Sequence, residues 1–224
     1  MTQIVVLIPA FNEKDHITAV INEAKGILPV WVVDDGSRDE TADLAESAGA
    51  RVIRQNPNQG KGAALKRGFK TALDEGVEAV LTLDADGQHD PKEISLFLDS
   101  YAKQPRNLII GKRDFSKMPF SRRLANTLGG WLFSWAVGER IVDNQSGYRL
   151  IRQDLMRVML ERQEGGFEFE VDMIVQCLKR RWSIGWVTIR TIYAGESSHI
   201  QPIKHVQRFL RVAIGARREL RRKI

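Results

Sequence analysis

The chain has 224 residues, 43% of them hydrophobic and 28% charged, with 18 Gly, 7 Pro and one Cys. That is long enough to bury a sizeable core and too apolar for a disordered chain. The lone Cys177 excludes an internal disulfide and a cysteine-based metal cluster, and fits a reducing compartment. The formal net charge of +6 invites a nucleic-acid reading, yet residues 204–224 carry +7 and residues 1–203 balance at −1. A charge confined to one terminus reads as an attachment device, so no nucleic acid is expected as a partner.

Ile4–Ile8 reads as a first strand rather than a signal peptide, because polar residues follow directly. Further strands are expected at Val30–Asp34, Ala50–Arg54, Ala79–Leu83 and Leu108–Gly111, with helices at about 13–26, 39–48, 61–75 and 91–103. The strands are nearly all-apolar rather than alternating, the pattern of strands covered on both faces. Their alternation with helices implies right-handed crossovers and an α/β fold with a mostly parallel central sheet flanked by helices. Ser37-Arg38-Asp39-Glu40 reads as a capping box for the second helix. Leu124–Gly138, an uncharged stretch, is shorter than the roughly 20 residues of a spanning helix, and reads as a core helix or one lying in a membrane interface. Phe167–Arg180 reads as a helix and Ile184–Ile192 as a strand.

Ligands of such sheets collect beyond the carboxyl ends of the strands. Here those ends carry Pro9-Ala10-Phe11-Asn12-Glu13, Asp34-Asp35-Gly36-Ser37, Asp84-Ala85-Asp86-Gly87-Gln88-His89 and Lys112-Arg113-Asp114. Three acidic loops and a basic one converging on one edge suit a metal and an anion. In extended chain, positions i and i+2 point the same way, so Asp84 and Asp86 can face one hard cation such as Mg²⁺ or Mn²⁺. His89 reads as their polar neighbour rather than a ligand. Gly60-Lys61-Gly62 resembles an anion-cradling turn, although no P-loop or dinucleotide fingerprint is present. Arg113 offers a bidentate fork for phosphate oxygens. One acid of the Asp34-Asp35 pair and Glu13 are candidates for a ligand base or ribose.

Taken together, Ile8–Glu13, Val33–Ser37, Asn58–Gly62, Asp84–Gln88 and Asp143-Asn144-Gln145-Ser146-Gly147-Tyr148-Arg149 resemble the ordered motifs of family 2 glycosyltransferases, in the dolichol-phosphate mannosyltransferase-like branch. The resemblance spans about residues 3–200. It implies a GT-A fold, a nucleotide-sugar donor, a divalent metal and inversion at the anomeric carbon. By motif, Pro9, Phe11, Glu13 and Asp35 would line the nucleoside pocket. Asp84, Asp86 and Gln88 would hold metal and diphosphate beside the Ala85 backbone, and Arg113 would sit on phosphate. Asp143 is the candidate base for a hydroxyl acceptor. With Arg122, the Ser146–Arg149 turn and His199, it would shape the acceptor side.

The chain departs from the branch on that side. Arg122 is followed four positions later by Asn126 rather than Ser, and the later Gly-x-Ser-Lys motif reads Gly195-Glu196-Ser197-Ser198-His199. A polyprenyl phosphate or similar membrane lipid is the expected acceptor. A hydroxyl acceptor for a soluble enzyme is the first alternative and a sugar nucleotidyltransferase the second; GDP and UDP donors are not separated. In the tail, Val206, Phe209, Leu210, Ala213, Leu220 and Ile224 recur at helical spacing, with Arg208, Arg211, Arg218 and Arg222 largely on other faces. The expectation is a domain over 1–203 and a basic amphipathic tail over 204–224. The tail would either dock on the body or hold the enzyme peripherally at an anionic, cytoplasmic membrane face.

Overall fold

The computed structural model describes residues 3–113, 120–162, 167–190, 214–218 and 220. Seven strands form one sheet: β1 (Ile4–Ala10), β2 (Val30–Asp34), β3 (Arg51–Arg54), β4 (Ala79–Thr82), β5 (Leu108–Arg113), β6 (Arg149–Arg152) and β7 (Ile184–Ile189). Their order is β3-β2-β1-β4-β6-β5-β7. All neighbours run parallel except β6, which is antiparallel to both β4 and β5. The expected mostly parallel sheet is therefore present. β6 was not anticipated, because four residues flanked by arginines, Arg149-Leu150-Ile151-Arg152, carry no clear strand pattern.

Period-two alternation divides β1 between two cores. Val5 and Leu7 face a cluster with Ala64, Leu65 and Phe69 of α3 (Lys61–Asp74), Leu155 and Met156 of α6 (Gln153–Leu160), and Phe169 and Ile174 of α7 (Phe167–Lys179). Ile4, Val6, Ile8 and Ala10 face the other, with Ile17 and Ile21 of α1 (Ile17–Ala24), Ala45 of α2 (Thr41–Ser47), and Ile94 and Phe97 of α4 (Ile94–Lys103). A short 3₁₀ turn, Pro91–Glu93, precedes α4; Asp90 caps it by accepting from the Lys92 N–H.

The expected capping box does not form. Helix α2 starts at Thr41, whose N–H donates to Asp39 Oδ1 at 3.1 Å, while Glu40 makes no side-chain cap bond and the Ser37 hydroxyl accepts instead from the Asn12 N–H at 2.9 Å. Asn12 returns the contact through its side-chain oxygen, which accepts from the Arg38 N–H at 2.9 Å, and the Glu13 N–H donates to Thr41 Oγ1 at 2.8 Å. These bonds tie the loop after β1 to the loop after β2. Capping by Ser37 was outcompeted by a contact that only the folded sheet provides, and Asp39 serves the helix start instead.

Helix α5 (Phe120–Val137) contributes to the core, as one reading of its segment had it: Phe133 and Ala136 are buried there, whereas Trp131 and Trp135 are exposed. The tail meets this helix. Ala216 is buried in the same core, Leu220 packs against it, and the Arg217 guanidinium lies 4.4 Å from the Trp135 ring centroid. Arg218 is exposed. Among the described residues no helix is long and apolar enough to cross a membrane.

Candidate active site

Parallel order places the ends of β1, β2 and β4 side by side, and a cavity of about 380 Å³ opens there. Pro9, Phe11, Glu13, Asp35, Asp84, Ala85 and Asp86 line it, together with Asn58, Gly60 and Lys61. Phe11 is exposed enough to offer a ring face to a ligand. The sequence-derived donor residues are thus gathered in one place, with Gln88 adjoining through its N–H, which donates to Asp86 at 2.9 Å.

Asp35 has a different immediate task from the one expected. Its carboxylate accepts from Gln55 Nε2 at 2.6 Å, the Gln59 N–H at 2.9 Å and the Gly60 N–H at 2.7 Å. The turn read as an anion cradle holds an anion belonging to the protein itself. Gly60 makes this possible with φ of +90°, a conformation that disfavours side chains with a Cβ. Asp35 therefore shapes the cavity wall by fixing the 59–60 backbone.

Lys61, the first residue of α3, is correspondingly not pointed at a cradle. Its ammonium lies 2.5 Å from Asp84 Oδ1 and 3.1 Å from Glu170 Oε1 on α7. Burial disfavours the charged ammonium, but Asp84 and Glu170 outweigh it and raise the Lys61 pKa above the ordinary lysine value. Burial likewise disfavours ionised Asp84, yet Lys61 and His89 hold its pKa below the usual carboxylate range. Asp86 differs: burial pushes it up, the Gln88 N–H offsets part of this, and the charge of Asp84 adds to the rise. His89 is buried beside Tyr148, with Nε2 3.6 Å from Asp84, the neighbour's position that was expected.

The loop before β6 closes the other side. A Cβ on Gly147 would stand 2.5 Å from Asp84 Oδ2, so only glycine lets this loop lie against the carboxylate. Thr82 Oγ1 donates to the Gly147 carbonyl at 2.7 Å and pins the loop to β4. Arg113 and Asp143, the two expected catalytic residues, meet in a bidentate pair at 2.8 and 3.0 Å. Asp143 also accepts from the backbone N–H groups of Arg113 and Gln145 at 3.2 and 3.0 Å. The bidentate face of Arg113, expected on phosphate, is turned to Asp143.

Two acceptor-side expectations need correction. Ser146 and Arg149 are both buried, so neither presents a side chain to an acceptor. Arg149 instead donates to the carbonyls of Ser146 at 2.7 Å, Asn144 at 3.2 Å and Glu170. It holds the 144–146 loop to α7 from beneath. Arg122 falls within α5, its side chain outside the described residues, and His199 lies outside them as well.

Residues 5–159 match the sequence model described as Glycosyl transferase family 2. The undecaprenyl-phosphate mannosyltransferase of Micrococcus luteus is 30% identical, over 93% of this chain and 85% of its own. The UDP-N-acetylglucosamine–dolichyl-phosphate N-acetylglucosaminyltransferase of Methanococcus voltae is 27% identical, over 85% of this chain and 86% of its own. Among solved structures, glucosyl-3-phosphoglycerate synthase from Mycobacterium tuberculosis, in complex with Mn²⁺, UDP-glucose and phosphoglyceric acid, matches with a TM-score of 0.74 at 20% identity. That match covers 96% of this chain and 78% of the other, and the architecture in common is the GT-A fold.

Proposed function

The chain belongs to glycosyltransferase family 2, in its dolichol-phosphate mannosyltransferase-like branch, and from that premise we propose that it moves one sugar, with inversion, from a nucleotide diphosphate to a polyprenyl phosphate or similar lipid phosphate. The observation that carries this reading is the cavity at the ends of β1, β2 and β4, lined by the Phe11 ring, Glu13 and Asp35 together with the Asp84-Ala85-Asp86 triplet. Membership in the family sets aside the nucleotidyltransferase alternative.

The residues present fit a divalent cation. Asp84 and Asp86 supply carboxylate oxygens at the cavity, and Gln88 adjoins them through its backbone N–H on Asp86. Among the described residues no three His, Cys, Asp or Glu groups converge to hold an ion by themselves. This suits Mg²⁺ or Mn²⁺, which take remaining ligands from water and substrate phosphates. Bound there, the cation would neutralise the charge growing on the leaving diphosphate. Phe11 and Glu13 would receive the nucleoside, and Asp35 would keep the opposite wall in shape.

The engagement of Asp143 supports a phosphate acceptor. Both of its oxygens already accept hydrogen bonds, and its strongest partner is the guanidinium of Arg113. A carboxylate so engaged is poorly placed to take a proton from a hydroxyl, whereas a lipid phosphate is already anionic and needs no base. The lipid phosphates in the names of the two relatives support the same choice. After incubation with labelled nucleotide-sugar, polyprenyl phosphate and Mn²⁺, label is expected in the organic phase. Label confined to a water-soluble product would sink the lipid reading in favour of a hydroxyl acceptor.

The tail completes the proposal. Docked on α5 through Ala216, Leu220 and Arg217, it would present its remaining bases, with Trp131 nearby, to an anionic cytoplasmic membrane face. Reversing Arg218 and Arg222 to Glu is expected to weaken binding to anionic vesicles about tenfold or more, since each base near such a surface contributes about 1 kcal/mol. Cosedimentation with anionic and neutral vesicles measures it. Equal binding to both vesicle types would remove the electrostatic role.

A further inference from the structure

Lys61 stands among three carboxylates. Its ammonium touches Asp84 and Glu170, Asp86 follows two positions after Asp84 on the same cavity wall, and Gly147 closes over the far side of the Asp84 carboxylate. Glu170 is buried, on α7. One cation therefore compensates two acids directly and a third at short range. Without a positive charge at this point, Asp84 and Asp86 would repel each other across a partly desolvated pocket.

We propose that Lys61 is a positioning residue, the built-in counter-ion of the Asp84–Asp86 pair, which preshapes the donor site and competes with an incoming divalent cation for Asp84, its hold being divided with Glu170 on α7. The inference rests on the metal-dependent reading above. The contest has a definite sign. A cation approaching Asp84 and Asp86 meets repulsion from the Lys61 ammonium and must share Asp84 with it. Removing the ammonium leaves the acids uncompensated and strengthens cation binding, even though it disorders the empty site. Glu170 acts in the opposite sense: it draws part of the ammonium away from Asp84 and adds its own negative charge. Neutralising Glu170 commits Lys61 wholly to Asp84 and weakens cation binding.

A purely structural role for the Lys61–Glu170 bridge predicts no such opposition, because loss of either partner would then loosen the same contact. The test is a titration of the full chain with MnCl₂ alone, reading free aqueous Mn²⁺ by electron paramagnetic resonance, with no nucleotide and no activity assay. Lys61→Met is expected to tighten Mn²⁺ binding by about tenfold, Glu170→Gln to weaken it by about threefold or more, and Lys61→Arg to stay within about twofold of the parent. Unchanged or weaker binding in Lys61→Met overturns the proposal. Should that variant not fold, Glu170→Gln decides alone, and binding equal to or tighter than the parent's overturns it. If the parent chain itself binds no Mn²⁺, the metal-dependent reading fails and this inference with it. A parent that binds while the variants match it defeats the inference alone.

Discussion

Asp86→Ala is expected to lower sugar transfer by about 10²–10³-fold while shifting thermal unfolding by no more than about 4 °C. The asymmetry follows from where Asp86 stands. It lines the cavity rather than the core, and its one described hydrogen bond is the short-range contact from the Gln88 N–H. Little of the fold depends on it, whereas the proposed diphosphate site loses one carboxylate of the Asp84–Asp86 pair. Asp84→Ala should behave differently. Asp84 is gripped by Lys61, faces His89 and lies under Gly147, so its loss strands the ammonium on Glu170 and opens a gap beneath the loop. That variant is expected to lose stability as well as activity. Initial rates with labelled donor, alongside calorimetric melting, separate the two, and full transfer by Asp86→Ala would remove the metal-site role assigned to it.

The contrast between these neighbours marks the boundary of what the sequence could tell. The place of both aspartates at the cavity was legible, because this D-x-D triplet follows an apolar strand and is followed by Gly87, Gln88 and His89. The division of labour between them was not, because it depends on Lys61 and on Glu170, which come from distant parts of the chain. The same holds for Asp35. Its place on the cavity follows from strand order, which the apolar runs of β1, β2 and β4 made readable. Its partners Gln59 and Gly60 belong to a loop whose path is set only once β3 has paired with β2.

Strands buried on both faces announce themselves by composition, and β1, β2, β4 and β5 were found within a few residues of their bounds. What failed was chemistry that is local in sequence but tertiary in partner. Ser37 had the pattern of a cap, and Asn12 took it instead. Arg149 had the look of a surface base beside a substrate turn. A sequence offers no sign that three backbone carbonyls await it in the interior, and without them a buried guanidinium would be prohibitive. The missed strand β6 and the misplaced arginine are one error, since Arg149 is the strand's first residue and enters the core because the strand does.

Arg149→Met is therefore expected to be the most destabilising single change near the site, costing about 3–5 kcal/mol and lowering the melting temperature by about 10 °C or more. Burial lowers the pKa of Arg149, against the opposing charges of Glu170, Asp143 and Asp84. Methionine would fill much of the space but leave the carbonyls of Ser146, Asn144 and Glu170 without their donor. Lysine should rescue poorly. A single ammonium cannot reproduce the planar fork that reaches three carbonyls in different directions. The functional consequence is indirect, because the same loop carries Gln145, whose N–H holds Asp143, and Gly147, which covers Asp84. Loosening it disturbs the Arg113–Asp143 pair and the floor of the donor site together, so transfer should fall even at temperatures where the variant is folded. Melting curves of the Met and Lys variants, with rates taken well below each midpoint, test both parts. A methionine variant that melts with the parent would show that the carbonyls find other donors, and the interior role of Arg149 would have to be abandoned.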